Sequence, residues 1–336
     1  MRVRLLEKND IVQAKSLWKE AFGDSDAYID WYFTNKILPG NSLGLFDGDL
    51  ISVVHMIPYS ISIQGKNLES AFIAGAATSK RRQGEGLMRT LLLESLRLMK
   101  ERGIVITHLY PFKHSFYENF GWATYSYVQN RTAARPTDRT DVEVIETKNW
   151  ELLTPLYESM MSAYDGYVVR GEREWRWRLE ELWADKGKAA LLLKSGAPAA
   201  YMLYYNGEEK AEAIETVYSN KEDIQPLLSH ILERNKRVEY FTAAHAGDAY
   251  GMARIVDAEA FLRLFGAQDA LKCIRVSDSF AAWNNIGEGE EITIEQLAVI
   301  AHKGLLDDAQ RRMASVCYSI IKKVFLFRST CIFEQY

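Results

Sequence analysis

Residues 76–93 read Ala76-Ala77-Thr78-Ser79-Lys80-Arg81-Arg82-Gln83-Gly84-Glu85-Gly86-Leu87-Met88-Arg89-Thr90-Leu91-Leu92-Leu93. The stretch divides into a strand of small residues, a basic turn, a loop with two glycines and the start of an amphipathic helix. From Gly86 onward, Met88, Leu91, Leu92, Ser95, Leu96 and Met99 share one face at helical spacing. A chain entering a helix through Gln83-Gly84-Glu85-Gly86 leaves the first N–H groups without intrahelical partners. With the positive end of the helix dipole, these groups form a site for an anionic group such as a phosphate. Lys80, Arg81 and Arg82 add positive charge beside it. The same residues also fit an ordinary basic turn before a core-packed helix, and Gly-x-Gly alone does not separate the two readings.

The residues after the glycines exclude two nucleotide motifs. A Walker loop needs Gly-Lys-Ser/Thr at the helix start, and here Gly86 leads into Leu87-Met88. The dinucleotide fingerprint Gly-x-Gly-x-x-Gly would need its third glycine at Arg89.

A chain of 336 residues is long enough for two or three domains. Its 48% hydrophobic and 26% charged residues are those of a globular protein, and the net charge of −4 argues against a general nucleic-acid binder. Cys273, Cys317 and Cys331 show no paired spacing, which fits a reducing compartment and no cysteine-based zinc site. The six histidines also lack ligand spacing, so no metal is expected. Met1–Lys8 reads as a first strand rather than a signal peptide, and no run approaches the roughly 18 apolar residues of a membrane helix. The expectation is a cytoplasmic protein without membrane attachment.

Periodicity gives a strand over 2–7, a helix over 10–22 capped by Asn9, and a second helix over 26–37. Strands come next at 43–47 and 50–58 around Asp47-Gly48-Asp49, then at 59–64 and 68–78 around Gly65-Lys66-Asn67. The motif helix ends at Gly103. A strand over 104–109, a helix over 115–120 and a strand over 124–128 complete the unit. The polar, turn-rich stretch Arg135–Asp141 marks a boundary. Beyond it lies a looser copy of the same order, with strand 142–146, helices 148–163 and 172–185, and strands 189–193 and 199–205. A third change of pattern falls near Lys272. The expected domains are therefore 1–135, 136–272 and 273–336.

The loop resembles the coenzyme A motif of the GNAT N-acetyltransferases, Gln/Arg-x-x-Gly-x-Gly/Ala at a strand-to-helix junction. Two registers fit, Arg81-x-x-Gly84-x-Gly86 and Gln83-Gly84-Glu85-Gly86-Leu87-Met88. We prefer the second, which sets Ala76-Ala77-Thr78 five residues ahead, where the family strand bonds the pantetheine arm. Met88 departs from the usual Gly or Ala. Further passages resemble the Eis-type (enhanced intracellular survival) acetyltransferases: Leu109–Phe112, Phe116–Trp122, Val169-Arg170 with Trp175–Leu179, Ala253–Asp257, and Arg275–Asp278 with Trp283-Asn284. The resemblance implies an α/β architecture, an α+β mixed-sheet GNAT fold in two tandem copies. It implies that the second copy is degenerate and that a sterol-carrier-protein-like domain ends the chain. Only about sixty residues come after Arg275, so that last domain would be shortened.

Acetyl transfer from a thioester to an amine needs a base for the amine, donors for the oxyanion and an acid for the leaving thiolate. Tyr117 suits the acid role, since a phenol pKa of about 10 lies near a thiol pKa of about 8.5. The resemblance assigns it that role; placed between Phe116 and Phe120, it also reads as a core aromatic. The resemblance further implies that the terminal carboxylate, here on Tyr336, takes the amine proton, with Glu334 as the alternative. Cofactor contacts fall to Ala76, Ala77, Thr78, Arg81, Arg82 and Gln83–Met88, including Gly84, Glu85, Gly86 and Leu87. Asp24, Asp26 and Trp31 form a candidate wall for a cationic amine through ion pairing and cation–π attraction. Asp24 and Asp26 equally suit capping of the second helix. Trp175, Trp177 and Trp183 read as packing between domains. The expected activity is acetyl-CoA-dependent N-acetylation of a small-molecule or lysine-type primary amine, in a homo-oligomer by resemblance. The rival is a non-catalytic coenzyme A-binding sensor or scaffold.

Overall fold

The structure, a computed structural model, describes residues 1–134, 142–304, 315–326 and 328–334. The first part of the chain runs β1 (Arg2–Leu5), α1 (Ile11–Phe22), α2 (Asp26–Asn35), β2 (Ser42–Asp47), β3 (Asp49–Ile63) and β4 (Lys66–Thr78). It continues through α3 (Leu87–Glu101), β5 (Ile106–Leu109), α4 (His114–Glu118) and β6 (Ala123–Thr124). The first helix is entered through a 3-10 turn at Lys8–Asp10 rather than from an Asn9 cap. There the Asp10 carboxylate accepts the Glu7 N–H at 2.7 Å and is gripped by Arg4 at 2.5 and 2.9 Å.

The expected strands 50–58 and 59–64 are one element, β3, which runs straight through Pro58. Pairing with β2 ends at His55, and pairing with β10 (Tyr167–Val168) begins only at Ile61. Pro58 lies in the interval where one edge of β3 has no partner strand, the place a residue without an N–H is tolerated. Alternation along β3 then sorts its side chains. Val54 and Met56 pack with Leu91, Leu92, Leu96 and Met99 of α3 on one face. Val53 and Ile57 pack with Leu17 and Trp18 of α1 and Tyr32 and Phe33 of α2 on the other. Leu91, Leu92 and Leu96 are fully buried, each contributing about 1.5–3 kcal/mol by the usual area relation.

The rest of the chain comprises β7 (Tyr127–Ala133), β8 (Glu143–Glu146), α5 (Thr154–Met161), β9 (Tyr164–Asp165), β10, α6 (Glu172–Ala184), β11 (Lys188–Lys194) and β12 (Ala197–Asn206). Next come β13 (Ala211–Tyr218), α7 (Ile224–Leu232), β14 (Val238–Ala244), β15 (Asp248–Ala249), β16 (Met252–Ile255) and α8 (Ala258–Leu264). The last described elements are β17 (Ile274–Ser277), β18 (Ile286–Gly287), β19 (Glu290–Thr293), α9 (Ile294–Lys303), α10 (Ser315–Val324) and β20 (Ser329–Thr330).

These strands make two large mixed sheets, one ordered β1-β2-β3-β4-β5-β16-β6 with β10 beside β3, the other β15-β7-β14-β13-β12-β11-β8. Each contains one parallel pair joined through a helix, β4–α3–β5 and β13–α7–β14. The halves exchange strands. The expected strand 124–128 breaks at Tyr125-Ser126, leaving β6 in the first sheet while β7 pairs with β14 in the second. In return β16 inserts between β5 and β6. The boundary stretch Arg135–Asp141 lies outside the described residues.

A small sheet, β18-β17-β19, and α9 close the C-terminal side. They are tied to the first sheet by Arg254 of β16, fully buried, which donates to the Phe120 carbonyl at 2.6 Å and to Asp278 at 2.5 Å. Asp278 also accepts from Asn284 and from the Phe280 and Ala281 N–H groups. The sequence passages around Arg254, Asp278 and Asn284 thus meet at one point. The lack of paired spacing gave no sign that Cys273 is disulfide-bonded, and Cys331 is a buried free thiol. Among the described residues, no helix is long and apolar enough to cross a membrane.

Candidate active site

β4 ends at Thr78, and Lys80–Arg82 form a single 3-10 turn before the loop. Gly84 (φ +84°) and Gly86 (φ +75°) are both left-handed, a conformation that disfavours any residue with a Cβ. Gly86 occupies the cap position of α3, and among the described residues no side chain bonds the first-turn N–H groups. A 15-residue helix therefore presents uncapped donors to the cleft. Gln83 Nε2 donates to the Thr78 carbonyl at 3.3 Å, tying the loop back to the end of the strand. Arg82 donates to Glu85 at 2.7 Å and to Asp47 at 3.0 Å; the two carboxylates are held low and the guanidinium is held charged.

A cleft of about 490 Å³ opens over this loop, lined by Ala76, Thr78, Arg82, Gln83, Gly84, Gly86, Leu87, Met88, Arg89, Phe112, Phe116 and Phe120. Of the expected cofactor contacts, Ala77 is buried in the sheet, and Ala77, Arg81 and Glu85 are not among the lining residues. Arg89 was not foreseen. It stands in the first turn of α3, where the helix dipole disfavours a cation, and that misplacement is the signal the sequence offered. Its guanidinium lies 5.0 Å from the Phe280 ring.

The floor of the cleft is a bulge. Val53 pairs with Ala77 and His55 with Ala74, so Gly75 and Ala76 stand opposite the single residue Val54. Gly75 has φ +52°, and a Cβ there would run into the Trp18 ring and stand 2.8 Å from His55 Cδ2. The bulge thus depends on glycine twice, for conformation and for space. Ala76 lines the first cleft, and Gly75 lines a second of about 400 Å³.

That second cleft is walled by Trp18, Phe22, Asp24, Tyr28, Gly75, Tyr110, Phe112, Arg178, Glu181, Tyr205 and Ile214. Asp24 accepts the Trp18 indole N–H at 2.7 Å. Asp26 is paired with Lys19 at 2.9 Å, and Trp31 donates to Glu180 at 3.1 Å; neither lines the cleft. Ser25, not either aspartate, caps α2, through the Tyr28 N–H. The second carboxylate of the cleft is Glu181, held on one oxygen by Tyr28 at 2.9 Å and on the other by buried Lys36 at 2.8 Å. Burial pulls Lys36 down to about 8 despite Glu181. Glu181 and Arg178 come from a part of the chain about 150 residues downstream, beyond the reach of local pattern reading.

Tyr117 stands behind the shared wall. Its ring is buried 5.7 Å from that of Phe112, 5.1 Å from Phe116 and 6.1 Å from Trp122. Its hydroxyl makes no hydrogen bond among the described residues, yet it is not one of the sealed polar atoms, unlike the Trp122 indole nitrogen behind it. Burial raises its pKa, so the phenol stays protonated throughout the neutral range.

Tyr336 lies outside the described residues. The segment before it docks: β20 pairs in parallel with β9, and Cys331, Ile332 and Phe333 are buried. Glu334 meets Arg170 at 2.7 and 3.0 Å and lines neither cleft. Of the three tryptophans, Trp177 packs across the halves against Tyr59 at 5.8 Å, Trp175 packs with Tyr157 and Tyr201 in the second, and Trp183 meets Lys148.

Residues 2–125 match the family model described as an acetyltransferase (GNAT) domain. No curated protein matches the sequence. Among solved structures, a conserved protein from Enterococcus faecalis V583 superposes with a TM-score of 0.79 at 16% identity, over 100% of this chain and 99% of that one. A GCN5-related N-acetyltransferase from Anabaena variabilis gives 0.76 at 16%, over 100% of both chains. Eis1 from Mycobacterium abscessus gives 0.69 at 17%, again over 100% of both. The shared fold extends over the whole chain, and the Gln83–Met88 loop lies within the segment that matches the acetyltransferase (GNAT) domain model.

Proposed function

We propose that the chain transfers an acetyl group from acetyl-CoA to a primary amine by direct attack where its two clefts meet. One observation carries this reading: the consecutive bulge residues Gly75 and Ala76 line different clefts, and Phe112 lines both. Ligands entering from the two sides converge on the same backbone. The first cleft fits the acyl donor, because the uncapped α3 terminus and the two left-handed glycines leave N–H groups and open space for a pyrophosphate. The second, with two carboxylates among aromatic rings, fits a cationic amine.

The bulge supplies the oxyanion donors, since a backbone taken out of its ladder has N–H groups to spare. Tyr117 delivers its phenolic proton to the departing sulfur. The amine loses its proton to a carboxylate at the acceptor side. Tandem Eis-type organisation, with a shortened sterol-carrier-like end built on β17–β19 and α9, completes the reading.

The test is thiol release from acetyl-CoA against a panel of primary amines, for wild type and Tyr117→Phe. Amine-dependent release that falls sharply in the variant supports the scheme. Coenzyme A binding without turnover on any amine selects the sensor reading instead. Undiminished activity in Tyr117→Phe removes the proposed acid.

A further inference from the structure

The two large sheets differ in what occupies the gap between their parallel strands. In the first, β4 and β5 pair from Ser70–Ile106 to Ile73–Leu109 and then part. The residues just beyond, Gly75 and Ala76 on one side and Tyr110 and Phe112 on the other, line the two clefts. In the second, β13 and β14 pair only at Ala211–Val238 and Glu212–Glu239 before parting. Beyond that point the gap holds the chain's own residues 329–334. The Phe333 ring lies 6.1 Å from that of Phe241 on β14. On the β13 side, Arg178 Nη2 donates both to the Ile214 carbonyl at 3.2 Å and to the Phe333 carbonyl at 3.1 Å.

A buried ionic cluster fastens this segment. Arg170 forms a two-pronged bridge to Glu215 of β13, at 2.7 and 2.8 Å, and turns its remaining donors to Glu334. Arg178 adds a bond to Glu215 at 3.0 Å, and the Tyr201 hydroxyl another at 2.6 Å. Two cations and two anions balance, and all four side chains are at least nine-tenths buried. Ion pairs so buried give little net stability over an apolar packing, while the loss of one member is costly. What such a cluster supplies is register. Its geometry has a functional end, because Arg178 and Ile214 also line the acceptor cleft.

We propose that the Arg170–Glu215–Arg178–Glu334 cluster is a positioning device: it seats residues 329–334 in the gap between β13 and β14 and thereby fixes the wall of the acceptor cleft. This assignment rests on the reading of the second cleft as the acceptor side. In the first sheet the gap is left open for ligands; in the second the chain fills it with its own end. None of the four residues is asked to touch a reacting atom.

The experiment uses the full chain as wild type, Glu334→Gln and Glu334→Asp, with acetyl-CoA and whichever panel amine wild type acetylates fastest. In Glu334→Gln, kcat/KM for the amine falls at least tenfold while KM for acetyl-CoA stays within twofold, and Glu334→Asp recovers most of the loss. In parallel, the backbone amides of residues 329–333 exchange slowly in native wild type, whereas in Glu334→Gln they exchange at least tenfold faster. Equal losses toward both substrates, or an amine kcat/KM unchanged in a variant whose 329–333 amides exchange fast, overturn the positioning role. Wild type that acetylates no amine defeats the acetyl-transfer reading and the positioning role with it. The seating is judged separately by the exchange measurement, and 329–333 amides that exchange freely in wild type overturn it.

Discussion

The Tyr117 hydroxyl has no hydrogen-bond partner among the described residues, and its ring packs on Phe112, Phe116 and Trp122. Replacing it with phenylalanine keeps every ring contact and breaks no bond. A residue held for packing alone would therefore tolerate the change, whereas a general acid contributes about 10²–10⁴ in rate. We expect Tyr117→Phe to unfold at the same urea concentration as wild type and to lose at least a hundredfold in kcat. The two measurements together separate chemistry from structure. Because burial raises its pKa, this phenol puts no alkaline limb on the rate profile of wild type below about pH 10.

Gly75 poses the opposite case, a residue whose side chain is hydrogen and whose replacement is felt by everything around it. An added methyl group meets the Trp18 ring and His55 while the backbone stays at φ +52°. Left-handed strain of about 1–2 kcal/mol and overpacking of about 1–3 kcal/mol combine. Gly75→Ala should lower stability by about 3 kcal/mol in chemical denaturation, and a loss below about 1 kcal/mol would show that the bulge relaxes freely.

At the level of elements, local patterns were readable wherever the chemistry is local. Gln83–Met88 was legible as a strand-to-helix junction, because two glycines stand between a small-residue strand and an apolar stripe, and its tie from Gln83 to Thr78 spans only five residues. Pro58 misled, since proline reads as the end of a strand unless the missing partner on one edge is known. Tyr125-Ser126 misled likewise: continuous β-formers cross from one sheet to the other there. Glu181 and Arg178 were illegible as cleft residues, because nothing local in a helix of charges and tryptophans tells which of its charges α2 and β13 will enclose. Their neighbour Glu215 lies on β13 and, unlike the exposed Glu212 of the same strand, is buried completely. Arg170 and Arg178 hold it charged, and its pKa falls to about 2. Glu215→Gln leaves both guanidinium groups short of one anion in a dry site. The expected cost is about 3–5 kcal/mol, read as a shift in the urea midpoint. A cost under about 1 kcal/mol would mean that water enters the cluster.

Across the whole molecule, the two halves and the C-terminal part share one interior, and its histidines make that interior sensitive to acid. His55, His108 and His302 are fully buried. His302 Nδ1 meets the Ala298 carbonyl at 2.8 Å and its Nε2 faces His108 Nε2 at 3.0 Å, so only one proton fits between the two rings. Burial lowers all three, His55 to about 3 and His302 to about 4. In the unfolded chain each titrates near 6.5. Below that pH the unfolded state binds three protons that the folded state refuses, so stability falls as pH falls. Asp165 works against this, because burial pushes it up to about 7 and it binds a proton on folding between pH 7 and 4. The net uptake on unfolding is about two protons, a slope near 2.7 kcal/mol per pH unit between about pH 6 and pH 4.5. Integrated from pH 7.5 to pH 5, the loss is about 3 kcal/mol. Urea denaturation at pH 7.5, 6.0 and 5.0 should show midpoints dropping steeply only over the lower interval. His302→Asn, which removes one of the refused protons, should flatten that drop by about half. A midpoint independent of pH across this range would mean that the histidine pair takes up its protons without unfolding.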